Sequence, residues 1–150
     1  MEVLAGIGSE EQKKQWLESL LDGKIRSCFA MTEPDVASSD AANIALPALP
    51  ALPALLDGDE WVLNGEKTYI SGAGDARCKI MNCMVKTDPG AGPYQQHSQI
   101  LVPMDVEGLE ILHPKMVLSL DDAPHGHMHL CFTNVRVPKE NMIFGRGPGF

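Results

Sequence analysis

Aromatic side chains make up only 5% of this 150-residue chain, so a core must be filled by aliphatic and sulfur-bearing residues. No run of eighteen apolar residues occurs, which excludes an ordinary transmembrane helix. Residues 1–8 have neither a basic stretch nor a long apolar core, so no targeting address is visible. Positive charge is in deficit: 12 Lys and Arg stand against 20 Asp and Glu, for a net charge of −8 and a pI near 5.0. Nucleic acid and anionic membrane both require concentrated Lys and Arg, so neither is an expected partner, and any phosphate must be held by local amides and hydroxyls. The four cysteines, Cys28, Cys78, Cys83 and Cys131, form no C-x-x-C pair and no zinc spacing. They read as free buried thiols in a reducing compartment. Walker and Rossmann glycine motifs, paired catalytic carboxylates and nucleophilic triads are all missing, so no residue reads as a catalyst.

What is present is globular: 44% hydrophobic and 21% charged residues suffice for one domain with a real core. Ser9-Glu10-Glu11-Gln12 is a capping-box pattern that opens an amphipathic helix. Trp16, Leu17, Leu20 and Leu21 fall on its apolar face, and Gly23 suits the position just past its end. Residues 24–31 read as a first strand. Residues 45–56, A-L-P-A-L-P-A-L-P-A-L-L, have a strict three-residue period. Their prolines remove ladder donors and favour polyproline II, with Leu46, Leu49, Leu52 and Leu55 on one edge of a surface excursion outside the β core. Asn64-Gly65 between β-prone runs predicts a hairpin over residues 60–71, pairing Leu63 with Glu66, Trp61 with Thr68 and Glu60 with Tyr69. Further short strands are expected at 79–87, 98–103, 109–112, 129–133 and 135–137. Many short strands with local turns predict a mainly β fold, an antiparallel barrel or sandwich with one leading helix.

The chain is organised around residues 29–40, F-A-M-T-E-P-D-V-A-S-S-D. Thr32, Ser38 and Ser39 offer hydroxyls beside the carboxylates of Glu33, Asp35 and Asp40, and Pro34 pushes Glu33 toward extended geometry. Such a turn can aim oxygens and freed N–H groups at an acceptor-rich ligand, such as a flavin dione edge or a pyrophosphate; an ordinary strand end with capping side chains is the plain alternative. A flavin needs a flat wall and donors in fixed register. Tyr69 suits the wall, Ser71 a donor near the reactive ring nitrogen, and Thr32 with the backbone around Met31 the pyrimidine edge. Within the predicted hairpin Tyr69 and Ser71 share a face, about 7 Å apart. The alternating histidines of His125-Gly126-His127-Met128-His129 have a metal-ligand look, but no cysteine or carboxylate stands at ligand spacing, and no metal is expected.

The T-E-P-D-V-A-S-S-D segment resembles the flavin motif of acyl-CoA dehydrogenases, in the form found in the branch of family members ten and eleven. Two further blocks carry the resemblance: N-G-E-K-T-Y-I-S-G-A-G at residues 64–74, and F-T-N-V-R-V-P-K-E-N-M-I-F-G-R-G-P-G-F at residues 132–150. The resemblance implies that residues 25–140 form the family's middle β domain, with 45–56 as an insertion. Residues 1–24 would be the tail of an N-terminal helical domain, and 141–150 a linker into a C-terminal helical domain. It further implies FAD as cofactor, bound by Phe29, Met31, Thr32, Ser38, Ser39, Tyr69, Ile70 and Ser71, with Ser39 also meeting the substrate. Relatives commonly carry Trp where Tyr69 stands and Thr where Ser71 stands, so the stack is thinner here. The implied partners are a fatty acyl-CoA, an electron-accepting flavoprotein or oxygen, and further copies in a full-length homo-oligomer. The implied setting is a mitochondrion, a peroxisome or a bacterial cytoplasm. Because the family's catalytic carboxylate lies on its C-terminal helical domain, the chain is expected to be an inactive fragment of an oxidoreductase. Two rivals stand beside this: a non-catalytic β module that docks partners through the Ala-Leu-Pro run, and a non-functional truncated product. Yellow protein with flavin absorbance would favour the first reading, and a colourless peptide binder the second.

Overall fold

The computed structural model describes residues 1–37, 40–50 and 59–147. Helix α1 spans Glu2–Ile7, and a second helical segment, α2, covers residues 10–21 with a wider π turn at Lys13–Leu17. Eight strands follow: β1 Arg26–Ala30, β2 Ala48–Pro50, β3 Glu60–Ser71, β4 Cys78–Lys86, β5 His97–Pro103, β6 Leu109–Pro114, β7 His127–Pro138 and β8 Met142–Ile143. They form two four-stranded sheets, ordered β1-β4-β5-β8 and β2-β3-β7-β6, so the fold is the expected mainly β one. Every pairing between named strands is antiparallel except β1 with β4.

Side chains alternate as strand geometry demands. Met81, Cys83 and Val85 of β4 and Ile100 and Val102 of β5 join Trp61, Leu63, Leu130, Phe132, Val135 and Val137 of the other sheet in the main core. Ile80, Leu101 and Ile143 form a second cluster with Leu4 and Leu20, so α1 and α2 cover the outer side of the first sheet. The Ser9 capping box closes α2 as predicted, Gln12 N–H donating to Ser9 Oγ at 3.2 Å and Ser9 N–H to Gln12 Oε1 at 3.0 Å. The apolar stripe of α2 thus has a partner, although Leu21 points away from it at 68% exposed. Helix α1 had no sequence signal of its own beyond Leu4.

Four expectations change. The Asn64-Gly65 pair does not turn the chain; residues 60–71 are one strand, because the equally long β7 supplies a ladder along its whole length. Gly65 sits in an irregularity with φ of 135°, and a Cβ there would meet Leu46 Cδ1 at 2.7 Å. The glycine makes room for a leucine. Leu46 is 3% exposed and in the main core, and Ala48–Pro50 pairs with β3, so the start of the Ala-Leu-Pro run is laddered and not a polyproline excursion. As an edge strand, β2 tolerates the missing proline donor. The side chain of Leu49, and Leu52 and Leu55 altogether, lie outside the described residues. Strands predicted at 129–133 and 135–137 are one strand running through Asn134 at φ of 52°, and residues placed in a terminal linker supply β8.

At the junction of the sheets lies a buried ion pair. Lys67 Nζ donates to Glu33 Oε1 at 2.7 Å and to the Met31 carbonyl at 2.9 Å. Glu33 in turn accepts from the N–H groups of Ala45 at 2.8 Å and Leu46 at 2.9 Å. Both side chains are out of solvent, Lys67 wholly so. Removing one partner leaves the other charged and buried. Lys67→Met is therefore expected to cost about 3–5 kcal/mol in denaturant unfolding, and Lys67→Met with Glu33→Gln markedly less than the sum of the single changes. An additive pair would show that the two groups act independently.

Burial pushes the Cys83 thiol up from 9.0 to about 11. The folded state thus favours the neutral thiol, a contribution complete below pH 9.0 and lost as pH climbs toward 11. Stability should fall by on the order of 2 kcal/mol across that window. Cys83→Ala should flatten this component when unfolding is followed at stepped pH.

Candidate functional site

The loop after β1 is stitched to β3. Thr68 N–H donates to the Thr32 carbonyl at 2.9 Å, and the Thr32 hydroxyl donates to the Thr68 carbonyl. Together with the Lys67 bond to Met31, this fixes residues 31–33 against residues 67–68. Thr32 is thereby held beside the residue that precedes Tyr69. The hydroxyl proton of Thr32 is committed to Thr68, so outward it offers lone pairs and not the donor expected from sequence.

Tyr69 departs from regular strand geometry. The ladder slips between Lys67 and Ile70, and Tyr69 takes a φ of 56°. Bulges of this kind re-aim side chains. Ile70 turns into the core at 1% exposed, while Tyr69 stands out at 53%. Ser71 is exposed as well. Both open outward as expected, though from a bulged strand and not from the arm of a hairpin. Beside them the buried Thr68 Oγ has no hydrogen-bond partner among the described residues. An exposed aromatic, an exposed hydroxyl and an orphaned hydroxyl on neighbouring residues fit one flat heteroaromatic ligand with polar edges.

Ile70 packs into the core at 1% exposed. Phe29, half exposed on β1, lines a cavity of about 220 Å³ with Leu4, Ile80 and Ile143. That cavity lies on the helix-covered side of the first sheet. Ser38 and Ser39, expected to meet a pyrophosphate or substrate, lie outside the described residues.

The histidines do not converge. His125 Nδ1 lies 3.2 Å from Asp75, His127 Nε2 lies 3.3 Å from Asp122, and His129 Nε2 lies 2.8 Å from Glu66. Each takes its own carboxylate, and no grouping among the described residues has the makings of a metal centre. Arg77 bonds Asp75 and, with help from His125, holds its carboxyl well below the usual range. Sequence spacing did not reveal the His125–Asp75 and His129–Glu66 pairs, because their members lie far apart in the chain and are brought together by the β3–β7 pairing, whereas Asp122 reaches His127 through the tight turn that precedes β7. Nor did it reveal Lys67 and Glu33 as partners, since they lie 34 residues apart and only the folded chain brings them together.

Residues 28–135 match the family described as "Acyl-CoA dehydrogenase, middle domain". Acyl-CoA dehydrogenase family member 10 of Mus musculus is 51% identical over 150 residues, covering 100% of this chain and 14% of that protein. A structure of a putative acyl-CoA dehydrogenase from Mycobacterium abscessus superposes with a TM-score of 0.91 at 47% identity, over 99% of this chain and 35% of that one. A glutaryl-coenzyme A dehydrogenase in complex with glutaryl-CoA superposes with a TM-score of 0.82 at 30% identity, over 98% of this chain and 34% of that one. The chain therefore spans about a third or less of these proteins. The family match covers more than two thirds of the sequence and the fold superposes over nearly all of it, so the chain belongs to the acyl-CoA dehydrogenase family, of which it carries the middle domain.

Proposed function

We propose that this chain holds FAD and the thioester end of a fatty acyl-CoA within an acyl-CoA dehydrogenase that oxidises the α,β carbon–carbon bond. The observation that carries the reading is the bulge that exposes Tyr69 beside Ser71, next to a Thr32 pinned by Thr68. When bound, FAD supplies the hydride acceptor that no side chain can provide. Tyr69 would lie against the ring, Ser71 would meet its edge, and Thr32 with the backbone at Met31 would meet the pyrimidine side. Ser38 and Ser39 would take the pyrophosphate, and Ser39 the substrate. Domain limits of 1–24, 25–140 and 141–150 belong to the same proposal, as do a flavoprotein or oxygen as electron acceptor and a homo-oligomeric full-length protein.

The chain's own residues bind and orient. Glu33 is tied to Lys67 and two backbone N–H groups, which leaves it poorly placed to abstract a proton. On this reading the carboxylate base would come from outside the middle domain.

In a full-length relative carrying this segment, Tyr69→Ala should weaken FAD retention by about 1–3 kcal/mol, the scale of losing a buried aromatic contact. Unchanged flavin occupancy and spectrum would sink the assignment. The 150-residue chain by itself should bind FAD at micromolar concentration or weaker, because each 1.4 kcal/mol of lost contact is about tenfold in Kd. It should also give no acyl-CoA-dependent dye reduction with excess FAD. Turnover would reveal a base within the chain, with Asp40 the first to replace.

A further inference from the structure

Ser71 does not stand alone on its strand. Its Oγ lies 2.8 Å from Nδ1 of His127, whose Nε2 lies 3.3 Å from Asp122 Oδ2. The arrangement is built by the backbone. Ser71 and His127 are ladder partners at the end of the β3–β7 pairing. Beyond them Gly72 N–H donates to the Gly126 carbonyl and Gly74 N–H to the His125 carbonyl, both at 3.1 Å. Gly126 N–H closes the loop onto the Asp122 carbonyl at 2.9 Å, which returns the Asp122 side chain to the ring. A Cβ on Gly74 would meet the His125 carbonyl oxygen at 2.8 Å, and Gly126 holds a φ of 63°, so this register favours glycine at both positions.

An ionised carboxylate only accepts hydrogen bonds, and a neutral imidazole has one N–H and one lone pair. With Asp122 at Nε2, the neutral ring carries its proton there and leaves a lone pair on Nδ1. That lone pair takes the Ser71 O–H. The serine then turns oxygen lone pairs, and no proton, toward its open side.

We propose that His127, braced by Asp122, is a positioning residue that makes Ser71 present an acceptor to a bound ligand, and that proton uptake by His127 reverses the polarity to a donor. In the charged ring Nδ1–H donates to Ser71 Oγ, and the hydroxyl proton is released to point outward. For a flavin edge the difference has chemical weight, because the reactive ring nitrogen carries a lone pair when oxidised and an N–H when reduced. An acceptor at Ser71 therefore favours the reduced cofactor. This clause rests on the flavin reading of Ser71; the orientation of the hydroxyl does not.

Other charged groups near His127 are engaged elsewhere. Asp75, on the turn after β3, binds Arg77 and His125. Glu66 on β3 binds His129, whose ring is 5.3 Å from that of His113 on β6. From beyond β6, Lys115 meets His127 through its backbone N–H, which donates to the His127 carbonyl at 2.8 Å. The His127 side chain is 32% exposed, so proton exchange with solvent is open.

Side-chain nitrogen spectra of the chain labelled with ¹⁵N-histidine test the orientation directly. At about pH 8, above the ordinary histidine range, His127 should be the Nε2–H tautomer, and Ser71→Ala should shift its Nδ1 resonance. A dominant Nδ1–H form, or an Nδ1 indifferent to Ser71→Ala, overturns the proposal. The ligand clause is read in an FAD-loaded full-length relative carrying residues 25–140 of this chain. His127→Phe should reduce the preference for reduced over oxidised flavin about tenfold, a midpoint ~30 mV more negative for a two-electron couple. His127→Asn, which restores an acceptor oxygen near the place of Nδ1, should stay close to the parent. A midpoint unmoved by His127→Phe but moved by Ser71→Ala overturns the role of His127. If Ser71→Ala changes neither midpoint nor flavin spectrum, the flavin reading fails and takes the ligand clause with it, while the nitrogen spectra still judge the hydroxyl orientation.

Discussion

The Lys67–Glu33 pair holds together three stretches of chain. Lys67 belongs to β3, Glu33 to the loop after β1, and the N–H groups of Ala45 and Leu46 to the approach to β2. A charge this deeply buried is costly without a partner, so the loop has one low-energy place to be. Leu46 is drawn into the core as a result, filling the space beside Gly65. Thr32, next to Glu33, is drawn against Thr68, next to Lys67. The candidate cofactor site inherits its position from a pair that does not itself face outward.

The long β3–β7 ladder supplies the second constraint. Its two irregularities have different consequences: the one at Leu63 and Gly65 admits Leu46, and the one between Lys67 and Ile70 exposes Tyr69. A regular strand would keep strict alternation through Lys67, Thr68, Tyr69 and Ile70; the bulge allows two successive buried residues and then an exposed aromatic. The same ladder distributes the histidines of β7 among separate acidic partners, Asp122 on the preceding loop and Glu66 on β3. An alternating pattern that resembles a metal site in one dimension becomes, in three, a row of independent imidazole–carboxylate contacts.

Fold class was legible in the sequence because it depends on local chemistry: short β-prone runs, turn residues between them and one capped amphipathic helix. Most strands fell within a residue or two of their predicted limits. The hairpin at Asn64-Gly65 misled because turn propensity is a local preference, whereas a twelve-residue partner strand offers hydrogen bonds along the whole segment. The Ala-Leu-Pro run misled for a related reason: proline's missing donor argues against a central strand but is silent about an edge, and an edge is where Ala48–Pro50 lies.

By itself the sequence determined the side-chain types at the candidate site, since Thr32, Tyr69 and Ser71 sit in short motifs whose residue types carry the chemistry proposed for them. Tertiary structure alone decided what those side chains present. The hydroxyl of Thr32 is committed to Thr68, and that of Ser71 is paired with His127. Hydrogen-bond polarity is a property of a contact and not of a residue, and both contacts join positions separated by dozens of residues along the chain.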